Sequence, residues 1–165
     1  MQEGTPRKEA TVAPDHYLVV EDSQWLAAHL NSSFVLCFYD AVHEVGGMVH
    51  LRNVPAGRPR DAALTDTTLT SDLLLIEHCV AELRALAPKA RYLQARLIAQ
   101  VDTSEHARER FQGMREVLEA FLGDSRVKLV SCELLAADGQ QVRFDPVMGK
   151  AWVAAQTDAG PASAG

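Results

Sequence analysis

Ser33 and His50 are the two residues whose types and spacing could do chemistry in this chain. The run Asn31-Ser-Ser-Phe-Val-Leu-Cys-Phe-Tyr-Asp40 is apolar from Phe34 to Tyr39, and Val45-Gly-Gly-Met-Val-His50 follows after a short turn. Two strands joined in this way bring the histidine back toward the start of the first, beside Ser33. A hydroxyl next to an imidazole can serve as a nucleophile with its base, the pair that acyl transfer uses. The competing reading is structural: a hydroxyl that caps a strand end, and a histidine held by a backbone carbonyl. Gly46 and Gly47 point to close backbone approach rather than to a phosphate cradle. Asp40 is expected to end its strand by bonding local backbone groups.

The same residues carry a resemblance. Leu30-Asn-Ser-Ser-Phe-Val-Leu-Cys-Phe-Tyr-Asp40 and Val45-Gly-Gly-Met-Val-His50-Leu-Arg-Asn-Val-Pro55 resemble the motif of the CheD family, the chemoreceptor glutamine deamidases. That motif reads roughly Leu-Gly-Ser-Cys-Val-Ala-Val-Cys-Leu-Tyr-Asp, then Gly-Gly-Met-x-His. Tyr92-Leu-Gln-Ala-Arg-Leu-Ile98 is similar to a Leu-x-Ala-Lys-Ile-Phe strand of the family, and the stretch from Val142 to Lys150 to its closing strand pair. The likeness covers about residues 16 to 154. It implies an α+β fold, a three-layer α/β/β sandwich with two long helices packed on mixed sheets. It places the nucleophile at Ser33 and the base at His50. It also implies chemoreceptor cytoplasmic domains and a CheC-like phosphatase as partners, and no cofactor.

The departures bear on activity. Ser33 stands where the family has cysteine, Asn31 where it has glycine, and Ala27 where it has a catalytic threonine. Ala99-Gln-Val101 replaces a Gly-Gly-Ala. Ser32 or Thr11 are the candidates for the missing third group. The expectation is a CheD-like protein whose deamidase activity is lost or weak, in effect a pseudoenzyme. The alternatives are an active protein-glutamine amidohydrolase using a Ser33–His50 dyad, and a non-catalytic interaction module on the same fold.

Composition sets the outer bounds. A chain of 165 residues with 47% hydrophobic content is expected to form one domain with its own core. A net charge of -6 argues against non-specific nucleic-acid binding. The polar N-terminus has no apolar run of the signal-peptide kind, and no stretch is long enough for a membrane span, so a cytoplasmic location is expected. Cys37, Cys79 and Cys132 form no Cys-x-x-Cys pair and are expected to be small buried hydrophobes. Cys37 lies about 13 Å beyond Ser33 along an extended strand and cannot replace it. His16, His29, His43, His78 and His106 show no metal-ligand spacing, so no metal is expected.

The elements that must position the pair follow from patterning. Residues 1–14 and 156–165 are expected to be disordered tails flanking a domain over 15–155. Residues 22–30 favour a short helix by propensity, whereas the family resemblance implies an extended approach to Ser33. Residues 52–68 carry Pro55, Gly57 and Pro59 and are expected to loop, exposing Arg58 and Arg60 as candidate contacts for acidic groups on a receptor helix. Thr70 or Ser71 is expected to cap a helix ending near Leu86. Thr103 or Ser104 should cap a second, ended by Gly123, with Phe111, Met114, Val117, Leu118 and Phe121 as its buried face. Strands are expected over about 16–21, 92–101, 127–135 and 141–144, the last pairing back on its predecessor through Asp138-Gly139, with a final strand to Val153.

Overall fold

The computed structural model describes residues 8–21, 24–40, 42–52, 62–90, 93–136 and 139–155. In chain order the elements are β1 (Glu9–Thr11), β2 (His16–Val20), β3 (Trp25–Leu30), β4 (Ser33–Asp40), β5 (Val45–Arg52), α1 (Ala62–Leu86), β6 (Leu93–Gln100), α2 (Glu105–Asp124), β7 (Val127–Leu135), β8 (Gln140–Asp145) and β9 (Lys150–Ala155). They form a five-stranded sheet ordered β2-β5-β4-β6-β7 and a four-stranded sheet ordered β1-β3-β8-β9. Both sheets are mixed: β6–β7 and β1–β3 run parallel, the remaining pairs antiparallel.

The apolar run of β4 explains the layering. All eight of its residues are buried, as a central strand covered on both faces must be. Phe34, Leu36 and Phe38 pack with Ile76, Cys79, Val80 and Leu83 of α1 and Phe111, Leu118 and Leu122 of α2. Val35, Cys37 and Tyr39 pack on the opposite side with Leu26, Ala28, Leu30, Val142 and Phe144 of the second sheet. Successive side chains of a strand point to opposite faces, so even positions of β4 meet helices and odd positions meet the other sheet. The result is a three-layer α/β/β sandwich with two cores.

Several local expectations are corrected. Glu9–Thr11 pairs in parallel with β3 instead of lying in a disordered tail, and Val12 beyond it is buried. Residues 25–30 are a strand, not a helix, because both neighbours of β3 offer ladder partners. Helix α1 begins at Ala62, well before Thr70 and Ser71. Strand β8 does not pair back on β7. The Gly139 N–H bonds the Leu30 carbonyl at 3.1 Å, which seats β8 on β3 in the other sheet. Ser104 caps α2 as expected, accepting from the Ala107 N–H at 3.2 Å. The helix runs through Gly123 to Asp124, and Val117 is exposed.

Gly46 shows why β5 needs its glycine pair. A Cβ there would press on Pro146 and lie 2.8 Å from the Phe38 carbonyl oxygen. Gly113, in the middle of α2, would meet nothing within 4 Å. Gly46→Ala should therefore destabilise the protein by about 1–3 kcal/mol through overpacking. Gly113→Ala should stabilise it by about 0.5–1 kcal/mol through helix propensity. Urea midpoints at unchanged slope check both, and equal shifts would refute the packing argument.

Candidate active site

Strand pairing brings Ser33 and His50 together. In the β4–β5 ladder Ser33 faces Arg52 and Val35 faces His50, so Ser33 and His50 are diagonal neighbours. Both project into the layer between the sheets, and Ser33 Oγ lies 2.8 Å from His50 Nε2. His50 Nδ1 lies 2.8 Å from the carbonyl oxygen of Val12. A carbonyl only accepts, so in the neutral ring the hydrogen sits on Nδ1 and Nε2 is left to accept from the Ser33 hydroxyl. The Asn31 N–H in turn donates to Ser33 Oγ at 3.1 Å. The serine thus donates to the base and accepts from the backbone.

The third position of the arrangement is a main-chain carbonyl. Neither Thr11 nor Ser32 supplies the partner of Nδ1; Val12 does. Leu26, Ala28 and Leu30 pack between the sheets, so strand alternation turns the Ala27 side chain, itself buried, to the opposite face of β3 and away from His50. Ala27 contributes through its backbone instead. Its carbonyl accepts the Val12 N–H at 2.8 Å and so fixes the strand end whose own carbonyl orients the imidazole. Patterning in the sequence missed this role, because a carbonyl acceptor has no residue signature.

Gln100 is the second residue the sequence reading did not assign. It is 3% exposed, and its Oε1 accepts the Ser32 N–H at 2.7 Å while its Nε2 donates to the Ala136 carbonyl at 3.3 Å. The signal was present as the replacement of Gly-Gly-Ala by Ala99-Gln-Val101. Ser32, not Asn31, holds the left-handed backbone, with φ 53°. Asp15, also left-handed, donates its N–H to the His50 carbonyl at 2.7 Å and meets Arg52 Nε at 3.3 Å. That exposed ion pair contributes little to stability.

Electrostatics keep the pair neutral. Burial lowers the His50 pKa below its ordinary 6.5, opposed by the Val12 carbonyl and the Asp15 carboxylate. Ser33 is 2% and His50 1% exposed, so the pair is closed in this structure. Cys37 and Cys79 are buried, and burial pushes both thiols well above the ordinary range, so neither offers a thiolate. Cys132 is only partly buried. Asp40 ends β4 as expected, accepting the Val42 N–H at 2.9 Å and lying 3.2 Å from His43 Nδ1. Among the described residues no group of three His, Cys, Asp or Glu side chains could hold a metal ion. No described helix is long and apolar enough to cross a membrane. Arg58 and Arg60 lie outside the described residues.

No family model matches the chain, and no curated protein does. Among solved structures, the hypothetical protein YfiH of Bacillus licheniformis is similar at 11% identity with a TM-score of 0.43, over 73% of this chain and 51% of that one. The chain spans about half the length of that protein. A likeness of this degree brings no function with it.

The neutral histidine has a consequence for pH. The unfolded chain takes a proton on this residue near pH 6.5, and the folded chain only at lower pH. The stability it confers is complete above that value and is lost as pH falls toward the folded-state pKa. His50→Gln should flatten part of the loss of stability between about pH 7 and pH 5. Urea titrations of both proteins across that range test this, and parallel curves would show that His50 is not the group responsible.

Proposed function

We propose that this chain is a CheD-like chemotaxis protein that docks on the cytoplasmic domains of chemoreceptors, with protein-glutamine deamidase activity weak or lost. The observation that carries the reading is the 2.8 Å contact between Ser33 and His50, the two positions the resemblance gives to nucleophile and base. A CheC-like phosphatase is the second partner the reading implies, and a cytoplasmic location goes with both.

Deamidation sets three demands. The nucleophile adds to the glutamine carbonyl while its proton passes to the base. The C–N bond then breaks, the proton leaves with ammonia, and water hydrolyses the acyl intermediate to glutamate. Ser33 and His50 meet the first demand in the correct tautomer. The second, an oxyanion site, is poorly served. The Asn31 and Ser32 N–H groups, which immediately precede Ser33, already donate to Ser33 Oγ and to Gln100 Oε1. Each missing oxyanion donor costs about 10²–10³ in rate. The third, access, is poor at 2% and 1% exposure. A serine also starts further from its nucleophilic form than a cysteine does.

A second reading, an active serine amidohydrolase, is favoured by one observation: the Val12 carbonyl fixes His50 in the tautomer that a general base needs.

A receptor cytoplasmic fragment separates the two. The wild-type protein should bind the fragment and release no ammonia above the spontaneous rate. Ser33→Cys should release ammonia slowly. Adding Gln100→Ala frees the Ser32 N–H and should raise that rate about tenfold or more. Adding His50→Ala should abolish it. Ammonia release by the wild-type protein that is lost in Ser33→Ala would establish the second reading. Failure of the wild-type protein to bind any receptor fragment would sink the first.

A further inference from the structure

Gln100 stands beside the Ser33–His50 pair. Phe34 and Ala99 form the last rung between β4 and β6, so Gln100 falls opposite Ser33 one step further along. Ile98 packs between the sheets, and side chains alternate along a strand, so Gln100 turns into the same layer as Ser33. Residues opposed across a ladder stand about 5 Å apart at Cβ.

The carboxamide is held at both ends. Its Oε1 accepts the Ser32 N–H at 2.7 Å, and its Nε2 donates to the Ala136 carbonyl at 3.3 Å. One partner only donates and the other only accepts, which fixes the orientation of the amide. The same two groups discriminate between ligands. A carboxylate would set an oxygen against the Ala136 carbonyl with no hydrogen between them, and a tertiary amide has no N–H to give. Gln100 is 3% exposed, whereas Ser32 and Ala136 are exposed residues. The amide therefore lies just beneath the surface, between two backbone positions that solvent reaches.

We propose that the Ser32 N–H and the Ala136 carbonyl form a carboxamide subsite next to Ser33, and that Gln100 occupies it as an internal pseudosubstrate. The identity of the competing substrate, a glutamine side chain of a partner protein, rests on the reading under Proposed function; the subsite itself rests on the two hydrogen bonds. A substrate glutamine carries the same terminal group as Gln100, so the two compete for one donor and one acceptor. The tethered residue has the advantage, since tethering gives it an effective concentration on the order of millimolar or more. A substrate glutamine enters only when the Gln100 side chain swings out.

Acetamide supplies the atoms that Gln100→Ala removes. Titrated into the full-length variant, it should bind saturably with a Kd on the order of 1–10 mM, a weak affinity set by its few atoms. The Ser32 amide signal should shift in NMR, and the thermal midpoint should rise with acetamide concentration. Acetate and N,N-dimethylacetamide should produce neither effect. The wild-type protein and Gln100→Met, whose side chains fill the subsite, should not respond to acetamide. Gln100→Ser is a second truncation that opens the same space. In the Ser33→Cys, Gln100→Ala double variant, acetamide should also slow glutamate formation in a receptor fragment, read by mass spectrometry. Equal binding of acetate or the dimethyl amide, no saturable binding of acetamide, or loss of folding in both truncations would each overturn the proposal. Acetamide that binds without slowing glutamate formation would overturn the pseudosubstrate role. A receptor fragment that no variant binds counts against the receptor reading alone, and the acetamide titration still decides the subsite.

Discussion

A neutral imidazole buried between two sheets must satisfy both of its nitrogens, and much of this structure follows from that demand. His50 is 1% exposed, with Nδ1 on the Val12 carbonyl and Nε2 on the Ser33 hydroxyl. Leaving either nitrogen unpaired there would cost about 1–3 kcal/mol. Val12 can present its carbonyl only if its strand is registered on β3, and the Val12 N–H to Ala27 carbonyl bond sets that register. The short parallel strand β1 therefore does more than extend a sheet edge. It links the four-stranded sheet to a side chain of the five-stranded one across the layer between them. The tie also selects the tautomer, since only an Nδ1–H can donate to a carbonyl.

The layer between the sheets is apolar through its middle and polar at its ends. Val35, Cys37, Met48, Ile98, Val142 and Phe144 fill the centre. At one end Ser33, His50 and Gln100 are buried with their hydrogen bonds made. Toward the other end the Asp145 carboxylate accepts the Val147 N–H at 3.0 Å, and Gly149, at φ 67°, bonds the Asp145 carbonyl at 2.8 Å. Arg96 spans that region, its Nε on the Gly149 carbonyl at 2.8 Å and its guanidinium 5.6 Å from the centre of the Tyr39 ring. Buried polar groups specify a unique arrangement only when fully bonded. Here they hold the two ends of the sandwich while apolar packing fills the span between them.

What could be read from the sequence divides along a physical line. The apolar run of β4, the glycine pair of β5 and the offset between Ser33 and His50 are local facts, and they led directly to the diagonal contact. Phe111 and Leu118 of α2 and the Ser104 cap were likewise visible in periodicity and capping chemistry. The misses are non-local or belong to the backbone. The register of β1, the carbonyl of Val12 and the transfer of β8 to the other sheet depend on main-chain bonds between distant segments. Main-chain donors and acceptors are the same at every residue except proline, so the amino-acid types do not announce them. The turn of the Ala27 side chain away from His50 belongs to the same class. The resemblance implies a hydroxyl at that position, whereas Ala27 acts through its carbonyl.

The choice of serine follows from the bonds around Oγ. In the neutral state Ser33 accepts from the Asn31 N–H and donates to His50, and the Ser32 N–H goes to Gln100. A hydroxyl fills this setting well, because it is a full donor and a full acceptor at once. A neutral thiol is the weaker group in both roles, and would leave the Asn31 N–H and His50 Nε2 poorly bonded. A thiolate would alter that balance. It would accept from the Asn31 N–H and from a protonated His50, turning two neutral hydrogen bonds into charge-assisted ones. The same scaffold thus suits a neutral serine at rest and a charged sulfur in reaction. In the present chain it supports the first: Ser33 Oγ and the Asn31 and Ser32 N–H groups are all bonded within the protein.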